Sequence, residues 1–493
     1  MPKPRILLAT ATLIACAAAL LWASASRPDD NTQRVPSVPP RARTPDARLL
    51  GDAARFEQGR WTYVHLQGSP RQIGYQHGFL LAAEIQDAFQ AMRDYDTHRT
   101  KRNWDFYRQT ARDILWPHIE PEYRDELNGI VEGLHAAGGK LDLYDLVALN
   151  AFEEVPDYYV PTLNRKEQRA NAPHLSAPGN CSAFVATGSY TRDHKIVIAH
   201  NNWTSFIDGA RWRIVFDIVP ERGNRMVMDG FPGVIASDDD FGINSNGLLV
   251  TETTITQFNG FDPKGKPEFV RARKALQYAN SIDDYVRIML DGNNGGYAND
   301  WLLGDNKTGE IARFELGLKD HRVWRTRDGY YVGSNFPSDP KLTREETDFD
   351  SSDMSSSPNA RRVRWEQLMA QYKGQIDVEL AQRFLGDHYD SFQKKEEANE
   401  RTLCGHLENS PRGAKVWDEP PFAPDGAVQG KVTDSDLARQ MSFWARRGHP
   451  CGTDFIKDQF LKEHPEFAWE APMLTDMQAG PWTLFRAGQK APE

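Results

Sequence analysis

The sequence predicts an α+β fold in which two antiparallel sheets stack on each other and helices cover their outer faces. Three observations lead there. Residues 79–152 are dominated by helical periodicity, with Leu127, Ile130, Val131 and Leu134 at helical spacing and a stop at residues 135–139. From residue 181 the texture changes to strands: 182–187, 195–200, an alternating run 211–219, and a hairpin over 241–255. That hairpin turns at Asn244-Ser245-Asn246-Gly247, where Asn-Gly supplies the positive φ angles. Helices and strands then return in blocks rather than in the strict alternation of a parallel sheet.

In order along the chain, Lys3 and Arg5 precede an apolar run over 6–22 and a small-residue site, Ala23-Ser24-Ala25. This pattern predicts export to the periplasm or medium with loss of residues 1–25, the segment engaging the membrane before it is cleaved. A retained membrane anchor and lipidation at Cys16 are the alternatives. Residues 26–55, rich in Pro, Arg, Asp and Thr, read as a disordered linker. Residues 56–180 form a mainly helical part that opens with a short strand at 61–66. Ser69-Pro70 then starts a helix in which His77 reads as a packed histidine among close-approach glycines. Residues 153–180 lose periodicity, hold four prolines and read as an exposed loop. The catalytic core is assigned to 181–455, with short strands at 225–228 and 233–236, helices at 269–279, from Ser281, at 360–372 and at 378–385, and strands at 300–304, 310–316, 321–325 and 330–333. Residues 456–493 form an extension packed on it. The formal charge of −10, with both signs interspersed, gives no reason to expect nucleic acid as a partner.

Export leaves three cysteines, Cys181, Cys404 and Cys451. An odd count suggests one disulfide and one free thiol, with Cys404 and Cys451 the natural pair; three isolated thiols are the alternative. Cys181 follows the loop Ala177-Pro178-Gly179-Asn180 and begins a strand-like run. A nucleophile that the chain exposes by cutting itself before Cys181 fits that position, and so does a small buried residue at a strand end. The sequence has no G-x-S-x-G elbow, phosphate-binding loop or H-E-x-x-H. Asp238-Asp239-Asp240 reads as a loop acid patch. Self-cleavage at Asn180-Cys181 would give one residue both thiol and α-amine, which titrate near ~8.5 and ~7.7–8.0, so nucleophile and base come together at neutral pH.

Ordered motifs from about residue 61 to 455 fit that chemistry. They include Gly68-Ser69-Pro70, Glu126-Leu127-Asn128-Gly129-Ile130, Cys181-Ser182-Ala183, His200-Asn201-Asn202-Trp203, Glu252-Thr253-Thr254-Ile255, Tyr297-Ala298-Asn299-Asp300-Trp301, Ser334-Asn335-Phe336, Leu403-Cys404-Gly405-His406 and Gly448-His449-Pro450-Cys451. Together they resemble the N-terminal-nucleophile (Ntn) hydrolases of the phospholipase B-like type and the related C45 acyltransferases of penicillin biosynthesis. The resemblance implies an αββα sandwich with Cys181 as nucleophile at the start of a central strand. It implies Asn335 as a side-chain donor to the oxyanion and the backbone N–H near Thr254 as the second donor. Asn201 and Asn202 would hold the free amine, although several relatives have an aspartate there. Arg361, in competition with Arg362 and Arg364, is the expected site arginine, and His200, Trp203, Glu252 and Thr253 would line the substrate site. No metal or cofactor is expected, and the two self-cleaved fragments should remain associated. The function expected is hydrolysis or transfer of an acyl amide or ester through a Cys181 thioester. A phospholipase B-like lipid deacylase is the alternative within this chemistry, and a non-catalytic exported binding protein the alternative outside it.

Overall fold

The computed structural model describes residues 45–167, 181–238 and 241–491. The expected signal peptide with Cys16, most of the expected linker, Asn180, Asp239 and Asp240 lie outside them. Among the described residues no helix is long and apolar enough to cross a membrane.

Seventeen strands are described, in chain order β1 (Ala54–Gln58), β2 (Trp61–Gly68), β3 (Ser182–Thr187), β4 (Val197–Ser205), β5 (Ile214–Pro220), β6 (Met226–Gly230), β7 (Gly242–Asn244), β8 (Leu248–Thr254), β9 (Asn299–Asp305), β10 (Glu310–Leu316), β11 (His321–Thr326), β12 (Gly329–Gly333), β13 (Tyr389–Asp390), β14 (Lys395–Glu396), β15 (Asp425–Asp434), β16 (Ser442–Arg447) and β17 (Thr483–Arg486). One sheet runs β1-β2-β5-β6-β7-β8-β9-β10-β11 and a second runs β12-β3-β4-β15-β16-β17, while β13 and β14 form a separate ribbon. All pairings are antiparallel except β2 with β5.

Side-chain alternation stacks the two sheets. Tyr63, Val215, Val227, Leu249 and Leu302 of the first meet Ala183, Val185, Ile198, Phe443 and Phe485 of the second in one buried cluster. The outer face of the first sheet carries Val64, Phe216, Val250, Leu303 and Phe314 into a larger cluster with the N-terminal helices. The outer face of the second presents Phe184, Ala186 and Ala199 to Trp365, Leu380 and Phe384. The order of layers is helix, sheet, sheet, helix.

The helices follow their sequence signals. α1 (Pro70–Leu80) has a capping box in which Ser69 and Gln72 satisfy each other's backbone N–H groups. It packs on α2 (Pro121–Ala136) through glycines, for a Cβ on Gly74 would lie 1.9 Å from the Glu126 carbonyl oxygen and one on Gly78 2.0 Å from that of Ile130. His77 is buried on α1, and its Nε2 accepts from the Gly233 N–H at 2.9 Å. Burial first, and the Arg273 charge second, pull its pKa down to about 3, so it stays neutral. On the second sheet's outer face lie α3 (Ser357–Gln371) and α4 (Val378–Leu385).

Several local expectations are corrected. Residues 233–236 form turns, not a strand, because Gly233 has φ +86° and the Asn150 amide bonds both the Gly233 carbonyl and the Ile235 N–H. The start of the expected loop at 153–180 is helical over Val155–Tyr159 and Val160–Lys166, while 168–180 lies outside the described residues. The end of the expected linker contains a helical turn, Ala47–Leu50, and the first residues of β1. Cys404 and Cys451 come together, but each carries a free thiol, so the expected disulfide is not formed.

Candidate active site

Cys181 lies immediately before β3 and is buried. Its backbone N–H donates to Asn335 Oδ1 at 3.1 Å. Asn335 follows β12 with φ +71°, a left-handed conformation that asparagine tolerates better than most residues. Its Oδ1 also accepts from Arg361 Nη2 at 2.8 Å, and its Nδ2 donates to the Thr254 carbonyl at 3.0 Å. Two donors converge on one atom, which fixes that atom as the amide oxygen. One of the two amide hydrogens of Asn335 is thereby held by the Thr254 carbonyl.

Of the three competing arginines, Arg361 reaches Cys181. Its Nη1 donates to the Cys181 carbonyl and, at 3.0 Å, to Ser182 Oγ, while Nε donates to Ser357 Oγ at 3.0 Å. Its guanidinium lies 4.5 Å from the Trp203 ring centroid and 5.5 Å from that of Trp417. Burial lowers its pKa to about 9, still charged at neutral pH. Arg362 stacks on Phe336 and Arg364 pairs with Asp387.

On the thiol side, Cys181 Sγ is 3.7 Å from Glu252 Oε1. Tyr297 Oη donates to the same oxygen at 3.3 Å, and His200 Nε2 is 4.0 Å from it. The β3–β4 ladder pairs Ser182 with Asn201 and Ala183 with His200, so the next position sets Asn202 opposite Cys181. Asn202 Nδ2 is buried without a hydrogen-bond partner. Asn201 points to the other face of β4, as strand alternation requires, and its amide donates to the carbonyls of Leu385 at 2.8 Å and Leu403 at 2.9 Å. The expectation that both asparagines serve the site is therefore corrected, because only Asn202 reaches it. Thr253 is also displaced from the substrate role expected of it: its side chain packs against Gly333, where a Cβ would lie 2.4 Å from Thr253 Oγ1.

Cys181, Asn202, Trp203, Thr254 and Tyr297 line a cavity that is also lined by Glu153, Asp157, Asp208, Glu419, Asp425 and Arg99. Arg99 forks onto Asp157 at 2.7 and 3.1 Å. Burial pushes Asp208 up to about 6 and raises Glu153 and Asp425 well above the ordinary carboxylate range. These acids were not singled out in the sequence. They come from three stretches of the chain, around 153–157, at 208 and over 419–425, and no motif links the three.

A family model described as Phospholipase B matches residues 75–324. The match spans Cys181, Asn202 and Glu252 and ends before Asn335. An uncharacterized protein of Archaeoglobus fulgidus is 26% identical over 50% of this chain and 41% of its own length. Phospholipase B-like protein C of Dictyostelium discoideum is 24% identical over 70% of this chain and 65% of its own length. The matched stretch thus spans less than two thirds of either relative.

Proposed function

The chain belongs to the phospholipase B family, and from that membership and the site geometry we propose that it is a hydrolase removing acyl chains from lipid-like substrates through a thioester on Cys181. The observation that carries this reading is the frame around Cys181, whose N–H is held by Asn335 Oδ1 and whose carbonyl is clamped by Arg361. A nucleophile that uses its own α-amine as base needs that nitrogen fixed.

In this reading the layered sheets are an Ntn-hydrolase sandwich. The Cys181 thiol attacks the Asn180 carbonyl, water hydrolyses the resulting thioester, and the α-amine is freed. Asn335 Oδ1 then orients the amine, which takes the thiol proton as sulfur attacks the acyl carbonyl. Asn202 Nδ2, buried opposite Cys181 and unpartnered, donates to the oxyanion. The amine returns the proton to the leaving alcohol or amine, and water completes the cycle. The acidic lining favours a head group bearing an amine or quaternary ammonium, because a cation there draws the raised carboxyls into their charged form.

N-terminal sequencing and intact mass of the purified protein, followed by an assay on choline and ethanolamine lysolipids, a net-anionic lysolipid and N-acyl amines, test the reading. The expected result is a chain beginning at Cys181, acyl release that favours the cationic heads, and no release from Cys181→Ala. Acyl release that survives in Cys181→Ala would remove the thiol from the mechanism.

A further inference from the structure

Away from that site, His388, Cys404, His406 and Cys451 bring one ring nitrogen or sulfur each into a group whose atoms all lie within 4.8 Å of one another. His388 follows α4, Cys404 and His406 lie in the segment before β15, and Cys451 follows β16. We propose that these four side chains bind a zinc ion in a closed tetrahedral site.

The distances fit. Both sulfurs, Cys404 Sγ and Cys451 Sγ, lie 3.5 Å from His406 Nε2. A tetrahedral ion with Zn–S of about 2.3 Å and Zn–N of about 2.0 Å sets sulfur and nitrogen about 3.5 Å apart. The tautomer fits as well. His406 Nδ1 is 2.8 Å from Glu408 Oε1, so Nδ1 carries the proton and Nε2 offers its lone pair toward the sulfurs, the arrangement of a carboxylate–histidine–metal triad. His388 completes the group, its ring within hydrogen-bond reach of the Cys451 thiol. The backbone frame is tied: the Cys404 N–H donates to the Asp387 carbonyl and the His406 N–H to the Asn399 carbonyl, both at 3.1 Å.

Two thiolates and two imidazoles select zinc among common divalent ions, and a full set of four protein ligands leaves no open position, which marks a structural site. On binding, each thiol loses its proton as its Zn–S bond forms. Two protons are released, the divalent charge is balanced, and no oxidant is needed. The ion would brace the candidate active site from behind. Gly405, between two of its ligands, lies so flat on Trp203 that a Cβ would sit 2.3 Å from the indole. The same indole carries Arg361, and Leu403 and Leu385 near the ligands hold Asn201.

The test is elemental analysis of the full chain purified without chelators, which should return about one zinc per chain. Replacement by cobalt should give the intense visible absorption of tetrahedral thiolate-bound Co²⁺. Cys451→Ser should lose the zinc on dialysis, whereas Glu408→Gln should keep it with affinity lowered roughly 10–100-fold. His464→Ala, outside the group, should retain it fully. A zinc-free chain that takes up neither metal, with Cys404 and Cys451 resistant to alkylation and the mass short by two hydrogens, would make the pair a disulfide and overturn the proposal. Zinc kept at full stoichiometry by both Cys451→Ser and His406→Ala would overturn it too. The wild-type measurements decide the matter even where a variant fails to fold.

Discussion

Two asparagines that adjoin in sequence do different work because β4 alternates. Asn202 faces Cys181 with an unpartnered Nδ2, and Asn201 pins two carbonyls on the opposite side. Asn202→Ala is therefore expected to lower kcat by roughly 10²–10³-fold with little change in KM, the signature of a group that acts on the oxyanion. Asn201→Ala leaves two buried carbonyls without their donor and should cost about 1–3 kcal/mol of stability while kcat stays near wild type. Steady-state kinetics and thermal melts on the two variants separate the assignments, and a reversed pattern would exchange them. If Asn335 holds a freed amine, its loss should show chiefly as a shifted pH–rate profile.

At the scale of elements, the approach of α1 to α2 depends on glycines, and the motifs around Gly74 and Gly129 are legible in the sequence for that reason. Gly74→Ala pushes a methyl into the Glu126 carbonyl and should destabilise by about 1–3 kcal/mol or more, since neither helix backbone can yield locally. Denaturant melts check this, and an unchanged midpoint would show that the helices slide apart at no cost. β15 is only partly legible in the sequence, which predicts a short strand near Lys431. Its run Asp425–Asp434 holds two glycines, Gln429 and Lys431, with no apolar alternation. It becomes a central strand because β4 and β16 pair with it on both sides, with a register shift between Ala427 and Gln429.

The whole molecule joins its ends to its centre. β1 and β2 lie in the first sheet, where β2 pairs in parallel with β5 from beyond Cys181. If the chain is cut before Cys181, denaturing gels should show two fragments, native gel filtration one species, and Cys181→Ala a single uncut chain. Independent elution of the fragments would contradict the shared sheet. Stability should also depend on pH. Burial raises Asp96, Asp208 and Asp300 to about 8, 6 and 7. Their unfolded values are near ~4, so the folded state holds more protons, and the stability present at low pH is lost as pH rises through these values. His77, held near 3, acts in the other direction: its stability is present above its unfolded value and lost as pH falls toward the folded one. From these four groups Tm should therefore fall as pH rises from about 5 to 8. Asp96→Asn should flatten the alkaline limb in a melting series, and a Tm that climbs steadily to pH 8 would refute the assignment.

The sequence by itself determined the α+β class, the stacking of antiparallel sheets, most helix and strand positions, and the place of Cys181 at the start of a strand. Each of these rests on local periodicity, capping or turn chemistry, which neighbouring residues settle among themselves. The tertiary structure alone decided which of Asn201 and Asn202 meets Cys181, which of three arginines reaches it, and that Asn335 Oδ1 accepts from the Cys181 N–H. It alone gathered carboxyls from three stretches of the chain around one cavity and set His388 and Cys451 beside Cys404 and His406. These outcomes depend on strand register, sheet stacking and loop closure across tens to hundreds of residues. No spacing in the chain encodes such long-range juxtapositions, because only the packed fold brings the side chains together.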